Sequence, residues 1–180
     1  MRLASILPVC ALVSLVACVP PSFTAEVKGE TTVSADPTGV ANLLEAFPAI
    51  GSFSSLDFNQ NQDFENQGVT KEQVSSAKLK SLQLKILAPP DMDFSFLDTL
   101  EFKAKAGDRE VLVASKRDIS KLGLKAPNPV LEMDLTGVEL QPFITAPSMS
   151  ITVSGKGRMP SKDVRLQATV TLDVQVRLLE

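Results

Sequence analysis

From Val164 to Leu178 apolar and polar residues alternate without a break. Val164, Leu166, Ala168, Val170, Leu172, Val174, Val176 and Leu178 take one side, and Arg165, Gln167, Thr169, Thr171, Asp173, Gln175 and Arg177 the other. Successive side chains of a strand point to opposite faces, so the run specifies a strand with one face buried and one wet. A slip of one residue would turn Arg165, Asp173 and Arg177 into the core, which ties the register to burial. At ~3.4 Å per residue the run would extend about 50 Å, longer than most strands, and a bend or bulge is expected near its middle.

Shorter copies of the pattern recur upstream: Leu82, Leu84 and Ile86; Leu100, Phe102, Ala104 and Ala106; Leu131, Met133 and Leu135; Met149, Ile151 and Val153. Gly107-Asp108 reads as a hairpin turn into Val111-Leu112-Val113. Phe23 to Val33 alternates and reads as a first strand, and Phe53 to Phe58 as a further β-prone stretch. Two helical segments interrupt the strands. Asp36-Pro37 forms an N-cap and first helical residue, and Val40, Leu43, Leu44 and Phe47 share one face, predicting a helix over 37–47. Thr70 and Gln73 match a capping box for a short turn at 70–76. About eight strands with one or two short helices predict an all-β fold, an antiparallel β-sandwich of jelly-roll or immunoglobulin-like topology.

The N-terminus has a different character. Arg2 precedes an apolar run from Leu3 to Ala17 that ends at Cys18-Val19-Pro20-Pro21, the layout of a secretory leader. The run is too short to span a bilayer, which takes roughly 20 apolar residues. Leu15-Val16-Ala17-Cys18 resembles the lipobox of bacterial lipoproteins. The resemblance implies cleavage before Cys18 and acyl chains on its sulfur and amino group. It also implies a location in the cell envelope, outside the cytoplasm. Residue 19 is Val rather than the Asp of that family's inner-membrane retention signal, which favours the outer membrane in a host with two. The domain organisation expected is a signal peptide at 1–17, a lipidated tether at 18–22 and one β-sandwich domain at 23–180. The 163 residues that remain suffice for one domain.

The leader also decides what chemistry is left. The chain has no His, Trp or Tyr, and its two cysteines are Cys10, inside the leader, and Cys18. No disulfide is then available, and neither a Cys/His zinc site nor a Ser-His-Asp or Cys-His triad can be assembled. The aromatic residues are nine Phe, which limits cages and stacking platforms. Past the leader, 17 basic side chains stand against 21 acidic ones, a balance that does not point to nucleic acid.

Three constellations remain. Asp91, Asp93, Ser95, Thr99 and Glu101 superficially resemble a calcium loop, but Phe96 stands where the sharp turn needs Gly and Phe102 where a bidentate Glu is required. A turn whose Phe94, Phe96 and Leu97 enter the core accounts for them. Glu132 and Asp134 are two apart on one predicted strand, so both face solvent rather than flank a cleft. Gly155-Lys156-Gly157-Arg158-Met159-Pro160 lacks phosphate-loop spacing and reads as a β-turn, an exposed tip able to touch lipid phosphates or a partner. The absence of Trp and Tyr girdles argues against an outer-membrane barrel.

These residues predict no catalytic, metal or cofactor site, and a single modification site at Cys18. The expected role is a non-enzymatic, membrane-anchored envelope module that binds another protein or scaffolds it through sheet edges or loop tips. A carrier of an apolar ligand such as a lipid is the alternative, since a lined cavity and a packed core use the same residues.

Overall fold

The computed structural model describes residues 21–35 and 62–177. Among these residues eight strands form two four-stranded antiparallel sheets that share one apolar core. The first sheet has the order β1 (Ser22–Val33), β8 (Val164–Val176), β2 (Val74–Ala88), β5 (Val130–Glu132). The second has the order β6 (Asp134–Leu135), β4 (Arg109–Arg117), β3 (Leu97–Ala106), β7 (Ser150–Gly157). An immunoglobulin sandwich places its first two strands side by side and its first and last strands in different sheets. Here β8 lies between β1 and β2, so the first and last described strands are neighbours, the wrap of a jelly roll. The sequence-predicted helix at 37–47, the stretch Phe53 to Phe58, Leu178 and Cys18 lie outside the described residues.

β8 follows its alternation literally. Val164, Leu166, Ala168, Val170, Leu172, Val174 and Val176 are all buried, and β8 pairs with β1 from Ser22↔Gln175 to Val33↔Val164 without a shift. The irregularity expected in this strand falls on its other neighbour. β2 spends 15 residues against the stretch Arg165–Val176, and its register shifts between Val74 and Ser76, Leu79 and Ser81, and Ile86 and Ala88. Each shift is a bulge that adds a residue to β2 and increases its twist. Sequence reading places only Leu82 to Ile86 in a strand because bulges break period two: the apolar spacing widens to three from Val74 to Ala77 and from Leu79 to Leu82.

The stretch from Leu131 to Leu135 is two strands rather than one. Leu131 pairs with Leu84 in the first sheet and Leu135 with Ala114 in the second, and the chain crosses between sheets at Met133, whose N–H donates to Leu82 O at 3.0 Å. The turn at 70–76 is one short 3₁₀ helix, Lys71–Gln73, and Thr70 N–H donates to Gln73 Oε1 at 2.8 Å in the capping arrangement expected. The Gly107-Asp108 hairpin is present, joining Ala106 to Arg109, and Gly107 supplies the positive φ of 58° that the tight turn needs.

Two short α-helices close the sandwich where sequence reading placed none. α1 (Gln62–Gln67) lies against β1, with the Phe64 ring edge-on to Phe23 at 5.0 Å. α2 (Gln141–Ile144) buries Phe143 and Ile144 and carries Pro142 in its first turn. Leu84, Leu100, Phe102 and Leu131 are at most 1% exposed at the centre of the core, and among the described residues the core contains no buried polar or charged side chain.

Candidate binding edge

A four-stranded sheet exposes main-chain donors and acceptors at both outer strands, and each such edge is a template for another strand unless something blunts it. Among the described residues three of the four edges are blunted. β5 has three residues and β6 two. β1 carries exposed Glu26, Lys28 and Glu30, and α1 reaches over it so that Glu26 N–H donates to Asp63 Oδ2 at 2.8 Å. β7 is the exception. It has eight residues, pairs with β3 on one side, and has no strand on the other among the described residues. From Ser150 to Gly155 it contains neither a charge nor a proline.

Alternation explains how β7 sits. Ile151 and Gly155 are buried and Val153 packs partly against the core, while Ser150, Thr152 and Ser154 point away from it. Gly157 closes the strand at a point of close approach: a Cβ there would stand 2.2 Å from Phe96 O. That carbonyl also accepts Arg158 N–H at 2.8 Å. Gly155-Lys156-Gly157 is therefore strand, correcting the expected β-turn, and the connection to β8 begins only after Arg158. Beside this end of β7, a hollow of about 420 Å³ is lined by Thr99, Glu101, Arg117, Ser154, Gly155 and Lys156. It combines two cations, one carboxylate and two hydroxyls. A second hollow of about 350 Å³ lies by β5, where Leu122 and Val130 are 44% and 40% exposed.

The carboxylates singled out in the sequence are engaged separately. Asp91 accepts from Lys162 Nζ at 2.5 Å, a hydrogen bond that holds its pKa below the ordinary value. Asp93 caps the 3₁₀ turn Phe94–Phe96 by accepting Ser95 N–H at 3.0 Å and is likewise lowered, mainly through Ser95. Phe94, Phe96 and Leu97 are buried, as the core-turn reading expects. Glu132 and Asp134 are both exposed; Glu132 accepts from Gln83 Nε2 at 3.2 Å and Asp134 from Lys116 Nζ at 2.6 Å, on different sheets. Among the described residues no three His, Cys, Asp or Glu side chains are grouped to hold a metal.

Two features escaped sequence reasoning. Glu139 reaches the first bulge of β2, where its carboxylate accepts Ala77 N–H at 2.6 Å, the Ser76 hydroxyl at 2.7 Å and Gln141 N–H at 3.0 Å. Burial pushes its pKa up, but these hydrogen bonds and the charge of Lys78 outweigh it and hold the group below 4.5. The edge status of β7 depends on which strands neighbour it, which no local pattern encodes; its uncharged Ser-Ile-Thr-Val-Ser run was the available signal.

No family model matches the chain, and no curated protein is similar to it in sequence. Solved structures with an alignable chain path include that of Desmodium yellow mottle tymovirus, at 12% identity over 100% of this chain and 98% of that one, with a TM-score of 0.32. Turnip yellow mosaic virus aligns at 12% identity over 99% and 90%, with a TM-score of 0.33. The decameric BFDV capsid protein aligns at 11% identity over 87% and 99%, with a TM-score of 0.37. Likenesses at this level carry no functional argument.

Proposed function

We propose that this protein is a non-enzymatic envelope lipoprotein, held to a membrane by acylated Cys18, which engages a protein partner by adding an extended segment to β7. The observation that carries the reading is the β7 edge, uncharged from Ser150 to Gly155 and, among the described residues, without a strand on its outer side, while the other three edges are short or guarded. Main-chain hydrogen bonds to such an edge supply affinity, and side chains that alternate along the added strand supply selectivity. A carrier of apolar ligands needs unfilled space between the sheets, and the Leu84, Leu100, Phe102 and Leu131 side chains packed there favour the scaffold reading.

Two variants test the two halves. Cys18→Ala is expected to move the protein from the membrane fraction to the soluble fraction; full retention on membranes refutes the anchor. Thr152→Lys adds a charge on the wet face of β7. Wild-type protein is expected to run as a complex with its partner on native gels of mild detergent extracts, and the variant to run without it at an unchanged urea midpoint. A complex that survives Thr152→Lys refutes binding through this edge.

A further inference from the structure

The chain is fastened to the sandwich from Pro21 onward. Pro21 O accepts Val176 N–H at 3.0 Å, and β1 then pairs with β8 beginning at Ser22↔Gln175. On the lipoprotein reading, on which this inference rests, only Val19 and Pro20 separate the acylated Cys18 from that hydrogen bond. Three residue steps reach at most about 11 Å. We infer that the end of the sandwich holding Pro21 is seated on the lipid headgroups of the membrane, and that the strands run away from the bilayer rather than along it.

Separate segments meet at this end. Arg177 N–H donates to Gln73 O at 2.8 Å, which sets the turn Lys71–Gln73 beside Pro21. Gln141 Nε2 donates to Val74 O at 3.4 Å and Arg109 Nη2 to Pro142 O at 3.2 Å, so α2 bridges the first sheet to the Gly107-Asp108 hairpin of the second. Lys71, Arg109 and Arg177 thus share this end with Glu72 and Asp108, an excess of positive charge. The β1 side has the opposite balance, Glu26, Glu30 and Asp63 against Lys28. Anionic lipid attracts the first set and repels the second, which favours the end over the side. Direction agrees with charge: the Pro21–Val176 bond continues the β1–β8 ladder, so the chain enters the sandwich along the strand axis.

An upright seat assigns the rest of the surface. β8 carries the chain from Val176 at the membrane to Val164, about 40 Å further out. Val130 is level with Lys85 and Gln167, about 30 Å from the same end, so the exposed Leu122 and Val130 of the hollow beside β5 stand clear of the lipid. β7 runs the same way, with Ser150 near the hairpin end and Gly157 outermost. The stretch from Gly155 to Pro160, able on sequence grounds to touch lipid phosphates, is therefore out of reach of those of its own membrane.

The test uses the full-length acylated chain, whose thiol at position 18 is consumed, in vesicles of phosphatidylethanolamine and phosphatidylglycerol with a nitroxide quencher on a fraction of the headgroups. Asp108→Cys at the hairpin tip, Lys28→Cys on the β1 side and Ser161→Cys beyond the far end of β7 are exposed positions that each take one fluorophore. Quenching at Asp108→Cys is expected to exceed that at Ser161→Cys, about 40 Å further out, at least about threefold, with Lys28→Cys near the Ser161→Cys level. Lys71→Glu combined with Arg177→Glu is expected to lower quenching at Asp108→Cys by about twofold or more; an unchanged value overturns the contact with phosphates. Protein that floats with the vesicles yet is quenched equally at Asp108→Cys and Ser161→Cys, or most strongly at Lys28→Cys, overturns the upright seat and leaves the anchor standing. Wild-type protein that fails to float overturns the anchor, and the seat with it.

Discussion

At the scale of single residues, the most consequential side chain is Glu139. β5 pairs with β2 only at Gln83–Lys85, so at Ala77 the outer side of β2 has no strand partner among the described residues, and an unmet donor in a part-buried position costs stability. Glu139 answers that need at Ala77 and ties β2 to α2 through Gln141 N–H in the same contact. Its pKa is depressed in the folded protein, so its contribution is fully present above the unfolded value near 4.5 and is lost as pH falls through the lower folded value. Glu139→Gln, which keeps the shape but removes the charge, is expected to cost about 1–2 kcal/mol at pH 7. The difference between variant and wild type should shrink in urea titrations run at pH 3; a gap independent of pH would show that the charge is irrelevant. None of this is legible in the sequence. Glu139 follows Gly137-Val138 in a stretch without periodicity, and its partners are 62 and 63 residues away.

Elements were legible to the degree that their own residues decide their shape. β8 declares itself because both faces act on it over its whole length, and the β3–β4 hairpin because Gly107 supplies a backbone conformation most residues avoid. β2 is half-hidden because its three bulges answer β8 rather than any preference of its own sequence. Met133 reads as the centre of a strand although it is a corner, since burial at Leu131, Met133 and Leu135 looks the same whether one sheet or two receives them. α1 is the clearest case of an element made by tertiary contact. Six residues are too few for an independent helix, and Gln62-Asp63-Phe64-Glu65-Asn66-Gln67 offers one apolar anchor. Phe64 is 1% exposed and meets Phe23 edge to face at 83°. Phe64→Ala is therefore expected to cost about 3 kcal/mol or more. Loss of α1 also withdraws Asp63 from Glu26 N–H. Hydrogen exchange should show that amide opening while the β8 amides stay protected; unchanged protection at Glu26 would mean that α1 holds without its anchor.

For the whole molecule, the decisive fact is that the last strand in sequence is interior to its sheet. β8 lies between β1 and β2, so until it is in place the first sheet has no continuity and the inner face of the second has little to pack against. Removing it strips Val164, Leu166, Val170, Leu172, Val174 and Val176 from the core. At roughly 1.5–3 kcal/mol for each buried aliphatic side chain, that loss matches the roughly 5–15 kcal/mol by which a domain of this size is stable. A chain ending at Asp163 is thus expected to be unfolded as a whole, because the β6-β4-β3-β7 sheet it retains has lost most of the apolar face it packs against. Circular dichroism without a strand signal and unprotected Phe102 and Ala104 amides would confirm this; persistent protection there would show the second sheet folding on its own. The same topology sets the rate. Joining β1 to β8 closes a loop across nearly the full chain, so folding belongs in the range of milliseconds to seconds typical of long-range β pairing. Folding also cannot finish before the C-terminal strand is available. Under the secreted-lipoprotein reading proposed above, that order keeps the chain open until its end has emerged.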